Sequence, residues 1–101
     1  METSIGKTDV DIMLRNGDLV EVKSSSSLSE INKDLFTKKK QLEKYLRYLK
    51  ETGREENKVI IYVKFSETDS DFIWLKNAID DWKKSAGYGN RVVELRTIPE
   101  I

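Results

Sequence analysis

The chain has 101 residues, which is room for one domain with one hydrophobic core. Its 18 basic side chains balance 18 acidic ones, so an argument for a nucleic-acid partner has to come from local charge. Cysteine and histidine are absent, which excludes disulfides, thiolate or imidazole metal sites and histidine general bases. Carboxylates and lysines therefore have to carry any chemistry, and Mg²⁺ or Mn²⁺ is the expected metal. No membrane-span or signal-peptide pattern is found, so we expect a soluble protein.

Two alternating segments predict a β-hairpin near the N-terminus. Residues 1–7 show no periodicity and predict a loose lead-in. Apolar side chains then recur at every second position from Val10 to Leu14 and again from Leu19 to Lys23. An Asn-Gly turn separates the two segments, which is a strong hairpin signal.

The length of this turn decides which side chains share a face of the hairpin. A three-residue loop over residues 15–17, with Gly17 in the left-handed position, places residue 12 opposite residue 20 and residue 11 opposite residue 21. A two-residue loop would mix charged and apolar side chains on both faces, so we expect the three-residue loop. The apolar face then contains Val10, Ile12, Leu14, Val20 and Val22, and the polar face contains Asp9, Asp11, Glu21 and Lys23.

The rest of the chain alternates helices with strands. Ser27 and Glu30 fit a capping box after the serine loop of residues 24–27, and helical spacing continues to Gly53, with Thr37 as a candidate point of division. Residues 58–65 predict a buried strand, and residues 91–98 predict the last strand. Between them, Asp69 or Ser70 caps a helix that ends at Gly87. This order predicts an α/β fold with a layered sheet.

Asp11 and Glu21 are the candidate metal ligands. In the expected register their Cβ atoms lie about 5 Å apart, and two carboxylates so placed repel each other unless a cation or a proton lies between them. We therefore predict a Mg²⁺ or Mn²⁺ site formed by Asp11, Glu21 and the backbone carbonyl of Val22. Lys23 on the same face is expected to contact the attacking water or the scissile phosphate, as in metal-assisted phosphodiester hydrolysis. The alternative is an ordinary solvated hairpin face.

The segment GKTDVDIMLRNGDLVEVKS resembles the PD-(D/E)XK nuclease superfamily, which includes restriction endonucleases, resolvases and the toxin domains of contact-dependent growth inhibition systems. Asp11 matches the first aspartate of the motif, Glu21-Val22-Lys23 matches (D/E)XK, and Gln41 resembles the glutamine of the following helix. The resemblance covers residues 6–65 and implies a restriction-endonuclease-like mixed sheet, with residues 1–101 as one nuclease domain. It also implies catalytic roles for Asp11, Glu21, Lys23 and Gln41. Residues 1–7 are too few to form the helix that usually precedes the hairpin, so we expect that helix to be missing.

The function implied by this resemblance is a metal-dependent endonuclease acting on DNA or RNA, tRNA included. The segment is most similar to the C-terminal toxin domains, which are secreted, act in the cytoplasm of a target cell and are held inactive by a cognate immunity protein. Two alternatives stay open. One is a housekeeping repair or resolvase-type nuclease, which would be cytoplasmic. The other is a non-catalytic module that binds nucleic acid or protein on the same fold.

Further residues are predicted to contact the nucleic acid or to pack. The run Lys38-Lys39-Lys40 is a candidate phosphate-binding stripe. Glutamates are interleaved with the basic residues of this helix, so the alternative is an ordinary salt-bridged surface. Tyr45 and Tyr48 are predicted to pack or to form an interface. Trp74 and Trp82 are expected near one helix face, in the core or against a partner. The predicted nucleic-acid contacts are Lys38, Lys39, Lys40, Ser24 and Ser25.

Overall fold

The structure is a computed structural model and describes residues 1–99. Within that range the chain forms short strands, a long connection of helical segments, and two further strands separated by a helix. No helix among these residues has the length and apolar content needed to span a bilayer. In chain order the elements are β1 (Glu2–Thr3), β2 (Gly6–Lys7), β3 (Ile12–Met13), β4 (Leu19–Lys23), α1 (Leu28–Asn32), a π-helical segment (Lys33–Thr37), α2 (Gln41–Glu51), β5 (Val59–Val63), α3 (Ser70–Ser85) and β6 (Val93–Thr97).

The main sheet is mixed, with the strand order β3-β4-β5-β6. β3 and β4 are antiparallel, whereas β4, β5 and β6 are parallel to one another, because each of their connections contains helix. The predicted α/β class is confirmed. Among residues 1–99, one hydrophobic core lies between the helices and one face of this sheet. Its fully buried side chains include Leu19, Val59, Ile61 and Val63 from the strands and Leu35, Leu42, Leu46, Leu49 and Leu75 from the helical segments.

The helix ends lie where local sequence signals place them. The Ser27 hydroxyl accepts a hydrogen bond from the Glu30 N–H at 3.3 Å, which confirms the predicted cap of α1. Gly53 follows α2 with φ +72°. There the Arg54 N–H donates to Leu49 O and the Gly53 N–H donates to Lys50 O, the two bonds of a Schellman motif. The division of the long helix is also confirmed, since the first helical stretch ends at Thr37 and α2 begins at Gln41.

The hairpin has the predicted register. Ile12 lies opposite Val20, and the Leu14 N–H donates to Asp18 O at 2.9 Å across a three-residue loop. Gly17 has φ +96°, a conformation that favours glycine. Asp18 secures the end of the loop, because its buried carboxylate accepts hydrogen bonds from the side chains of Asn16 and Asn57 and from the Lys58 N–H.

The face of the hairpin that the helices cover is the opposite of the expected one. Leu19 and Glu21 are buried towards the helices, whereas Ile12, Leu14 and Val22 are 38–49% exposed on the other face. The physical reason is the register between β4 and β5, which pairs Glu21 with Ile61. Because paired residues point to the same face, the fully buried Ile61 carries Glu21 into the helix-covered layer.

Two smaller expectations are also corrected. Residues 1–7 are not a loose lead-in, because Glu2 pairs with Lys7 and Thr3 with Gly6 in a short antiparallel ladder. The two tryptophans do not share a surface of α3. Trp82 packs against Phe36 and Tyr88, whereas Trp74 is 48% exposed. Eight residues of an α-helix leave two side chains about 80° apart around its axis.

Candidate active site

The candidate site lies at the end of β4, between the sheet and the helical connection. Glu21 and Lys23 are two residues apart on this strand and point to the same, helix-covered face. Their side chains are 6% and 11% exposed, and Lys23 Nζ lies 3.2 Å from Glu21 Oε2. The predicted acid and lysine therefore form a nearly buried ion pair.

Lys23 has two further partners on the helical connection. Its Nζ donates to Gln41 Oε1 at 2.5 Å and lies 3.5 Å from Asp34 Oδ2. The Lys23 ammonium group therefore has three partners: Gln41 accepts a hydrogen bond, and Glu21 and Asp34 are ion-pair neighbours. Sequence analysis identified Gln41 but missed Asp34. Helical spacing could not have indicated Asp34, because a π-helical segment and the left-handed Lys40 separate it from Gln41.

Asp11 joins the site through two hydrogen bonds to β4. Its backbone N–H donates to Glu21 Oε1 at 3.2 Å, and its Oδ2 accepts from the Val22 N–H at 2.7 Å. The pairing of β3 with β4 ends at Ile12. Beyond it, the Val22 N–H bonds to the Asp11 side chain instead of to the backbone of a longer β3. Asp11 and Glu21 are therefore in contact through the Asp11 backbone N–H, and they do not form a ladder pair.

The surroundings of Glu21 shift its protonation equilibrium. Burial raises the pKa of Glu21, the Lys23 ammonium opposes that rise, and the charge of Asp11 adds to it, so that the pKa stays above its ordinary value. Burial also raises the pKa of Tyr45, as does the neighbouring Glu21 carboxylate. Tyr45 therefore remains a protonated donor, and its hydroxyl donates to Asp9 O at 2.9 Å. Tyr45 is buried as predicted, but its hydroxyl reaches the site.

A cleft of about 580 Å³ opens onto these residues. Five of its ten lining residues are lysines and three are acids, so the cleft is locally positive in a chain with no net charge. The wall positions come from the β2 region, from the turn before α2, and from α2 itself. The lining consists of Lys7, Thr8, Asp9, Asp11, Glu21, Lys23, Lys38, Lys39, Gln41 and Lys44.

The remaining predicted nucleic-acid contacts lie elsewhere. Within residues 1–99 the lining of this cleft does not include Lys40, Ser24 or Ser25. Lys40 has φ +50° in the turn that precedes α2. Ser25 supports the cap of α1, where its hydroxyl accepts from the Ser27 N–H at 3.0 Å and contacts Glu30. Contacts of these three residues with nucleic acid stay predictions.

The donor set fits a hard divalent cation. Glu21 Oε1 and Asp11 Oδ2 each accept one backbone hydrogen bond and keep a second acceptor position. The Val22 carbonyl points to the same side of β4 as its N–H, towards Asp11. No cluster of three or more acids that could enclose an ion occurs in residues 1–99. Mg²⁺ is usually held by one or two carboxylates, with water and phosphate oxygens completing its shell. The residues present therefore suit Mg²⁺ without forming an all-protein cage.

Comparisons with known proteins add no relative. No protein-family model, curated protein or solved structure matches the chain. The resemblance to PD-(D/E)XK nucleases therefore rests on the residues quoted for it, and the site has to be interpreted from its own geometry.

Proposed function

We propose that this chain is a metal-dependent phosphodiesterase that cleaves nucleic acid, with Asp11, Glu21 and Lys23 as its catalytic residues. The proposed fold is the restriction-endonuclease-like arrangement of the PD-(D/E)XK superfamily. The observation that carries the proposal is the charge layout of the cleft, in which two adjacent acids and a buried ammonium lie among further lysines. A nucleic-acid backbone is anionic, and its hydrolysis needs a positioned water, so both parts of this layout serve one reaction.

Each residue has a separate task in the proposed reaction. Asp11 and Glu21, with the Val22 carbonyl, are the proposed Mg²⁺ or Mn²⁺ ligands. The bound ion would lower the pKa of a ligated water and neutralise charge on the phosphate. Lys23 donates from Nζ to the water or to a phosphate oxygen after releasing Asp34, its longest contact at 3.5 Å. Gln41 holds Nζ in place while this exchange occurs.

The lysines of the cleft walls bind the substrate backbone in this proposal. Lys38 and Lys39 are exposed residues before α2, and the half-buried Lys44, whose Nζ donates to Lys7 O at 3.1 Å, follows on the helix. Exposed ammonium groups contact phosphates without reading base identity. We therefore expect binding to weaken with salt and to depend little on sequence.

The finer proposal is a bacterial toxin nuclease domain, secreted, active in the cytoplasm of a target cell and neutralised by an immunity protein. It rests on the resemblance of residues 6–25 and on the neutral net charge, because a nuclease for four-way junctions needs a broad basic surface. DNA and RNA, tRNA included, are both substrates to test. A repair-type nuclease and a non-catalytic binding module are the alternatives.

The test is cleavage of plasmid DNA and total tRNA by the purified chain with Mg²⁺, Mn²⁺ or EDTA. Glu21→Gln and Lys23→Ala are expected to lower the cleavage rate at least about 100-fold, because they remove a metal ligand and a proton-transfer group. Glu56→Gln and Lys84→Ala make the same chemical changes at exposed positions outside the cleft and should leave the rate unchanged. Binding without cleavage under every divalent metal would favour the binding module.

Metal binding has a readout that does not depend on catalysis. A ligand that binds only the folded chain raises its unfolding temperature. Mg²⁺ or Mn²⁺ should therefore raise the unfolding temperature of the wild-type chain, and the increase should be lost in Glu21→Gln and kept in Glu56→Gln. An equal increase in both variants would place the ion elsewhere.

A further inference from the structure

β6 forms an edge of the main sheet, on the far side from the hairpin. The Val59 N–H donates to Val92 O at 3.1 Å, and the Ile98 N–H donates to Val63 O at 2.8 Å, so the even-numbered residues of this segment direct their backbone groups to β5. The N–H and C=O of one strand residue point to the same side. The odd-numbered residues of β6 therefore direct theirs away from the sheet. These residues are Val93, Leu95 and Thr97.

This edge is open to another strand. Among residues 1–99, no hydrogen bond to the backbone groups of these three residues is found, and β6 contains no proline. The neighbouring helix α3 does not pack tightly along this strand, because a cavity of about 270 Å³ lies between Lys76, Ile79 and Asp80 of the helix and β6. A five-residue edge with three free donors and three free acceptors is a template for strand addition.

The side chains of β6 are complementary to a second copy of the same strand. In an antiparallel pair centred on Leu95, each of Val93, Leu95 and Thr97 faces another residue whose backbone groups are free, which gives six main-chain hydrogen bonds. The same register places Glu94 directly opposite Arg96 of the second copy, twice around the two-fold axis. These two residues occupy the narrow, non-hydrogen-bonded positions, where opposite charges attract most effectively. Within one chain Glu94 already contacts Lys58 and Arg96, so the two cross-strand pairs would extend an existing network of alternating charges.

Neighbouring registers lack this match. A shift that centres the pair on residue 94 places Glu94 against Glu94 of the second copy, and a shift that centres it on residue 96 places the two Arg96 side chains together. Like charges directly opposite each other are destabilising. Registers that place an odd-numbered residue opposite an even-numbered one would align free backbone groups with groups already bonded to β5. One register therefore satisfies both the backbone and the charges.

We propose that this chain forms a homodimer through antiparallel β6–β6 pairing, which joins the two main sheets into one sheet of eight strands. An interface formed by the same surface on both copies closes as a two-fold dimer. β5 separates β6 from the strand that carries Glu21 and Lys23, so both clefts stay open in the dimer. The proposal uses no residue of the catalytic site, and its failure would leave the proposed nuclease function intact.

Charge exchange at the two interface positions gives a sharp test. In Glu94→Arg, arginines face each other at both ion-pair positions, and in Arg96→Glu, glutamates do. Each variant alone should be monomeric in sedimentation and light-scattering measurements over a concentration series in which the wild-type chain dimerises. An equimolar mixture of the two variants should form a heterodimer, because both cross-strand pairs are again of opposite charge.

The mixture also controls for folding, since a variant that had failed to fold could not restore the dimer. The double variant Glu94→Arg/Arg96→Glu is expected to dimerise by itself, for the same reason as the mixture. A wild-type chain that stays monomeric at every concentration would overturn the proposal. So would single variants that dimerise as strongly as wild type, because the contact would then lie on another surface.

Discussion

Replacing Lys23 by methionine should expose the energetic cost of the buried Glu21 carboxylate. Glu21 is 5% exposed, and Lys23 is the cation in contact with it. Removing one partner of a buried ion pair typically costs about 3–5 kcal/mol, because the other charge stays buried without compensation. Methionine has a similar length and no charge, so the change isolates the ammonium group.

The pH dependence follows from the proton that Glu21 can take up. Its ordinary pKa is 4.5, so protonating this carboxyl at pH 7 costs about 3.4 kcal/mol and at pH 5 only about 0.7 kcal/mol. The destabilisation caused by the unpaired carboxylate cannot exceed this cost, because the carboxyl takes up a proton once a buried charge would cost more. In the variant, folded chains hold a proton that unfolded chains lack, so the stability of the variant rises as the pH falls from 7 to 5. The destabilisation relative to wild type should therefore shrink by up to about 2.7 kcal/mol over this range.

The assay is urea unfolding at pH 5, 6 and 7, followed by the fluorescence of the half-buried Trp82. The double variant Glu21→Gln/Lys23→Met removes both charges and should recover most of the lost stability. Lys58→Met is the matched control, because its pair with Glu94 is about one-third exposed and contributes less than about 1 kcal/mol.

Two results would contradict a buried, proton-accepting Glu21. One is a Lys23→Met penalty of the same size at pH 5 and pH 7, which would mean that no buried carboxylate takes up a proton. The other is a penalty as small as that of Lys58→Met, which would place Glu21 in contact with water.

Three further predictions concern stability. Burial raises the pKa of Asp18, but hydrogen bonds from Asn57, Lys58 N–H and Asn16 outweigh it and hold the pKa below its ordinary 3.8. Asp18→Asn should therefore cost about 2 kcal/mol above pH 4, and the difference should shrink in urea titrations at lower pH as the wild-type carboxylate is protonated. Gly53→Ala and Gly87→Ala, at φ +72° and +84°, should each lose about 1 kcal/mol in thermal unfolding. Gly89 has no positive φ, so Gly89→Ala should not lose stability. Equal losses in all three variants would exclude backbone strain as the cause. In chemical unfolding, Trp82→Ala should lower the free energy of unfolding by about 3 kcal/mol and Trp74→Ala by less than about 0.5 kcal/mol. A larger loss in Trp74→Ala would contradict this prediction.

The hairpin register and the helix ends could be predicted because their determinants are local. Gly17 supplies the left-handed residue of the turn, and the alternation on either side of it distinguishes one register from the next. Ser27 and Gly53 act through hydrogen bonds to residues within five positions along the chain. Nothing distant has to be known to evaluate such contacts.

The partners of Lys23 could be predicted only in part. Gln41 was found through a resemblance, whereas Asp34 carries no local mark that separates it from other acids of the helical connection. Its contact with Nζ depends on how this connection lies across the end of β4. Tyr45 is similar, since helical spacing predicts its burial but not the direction of its hydroxyl towards Asp9.

By itself, the sequence determined that Asp11, Glu21 and Lys23 would be neighbours, because a tight turn and a two-residue period leave one register that separates charged from apolar side chains. Only the tertiary structure decided which side of that hairpin the helices cover. The pairing of β4 with β5 and the path of the helical connection are non-local, and they bury Glu21 at the base of a cleft instead of leaving it on a solvated face. Burial raises the pKa of Glu21 and makes Lys23 necessary for stability as well as for the proposed chemistry.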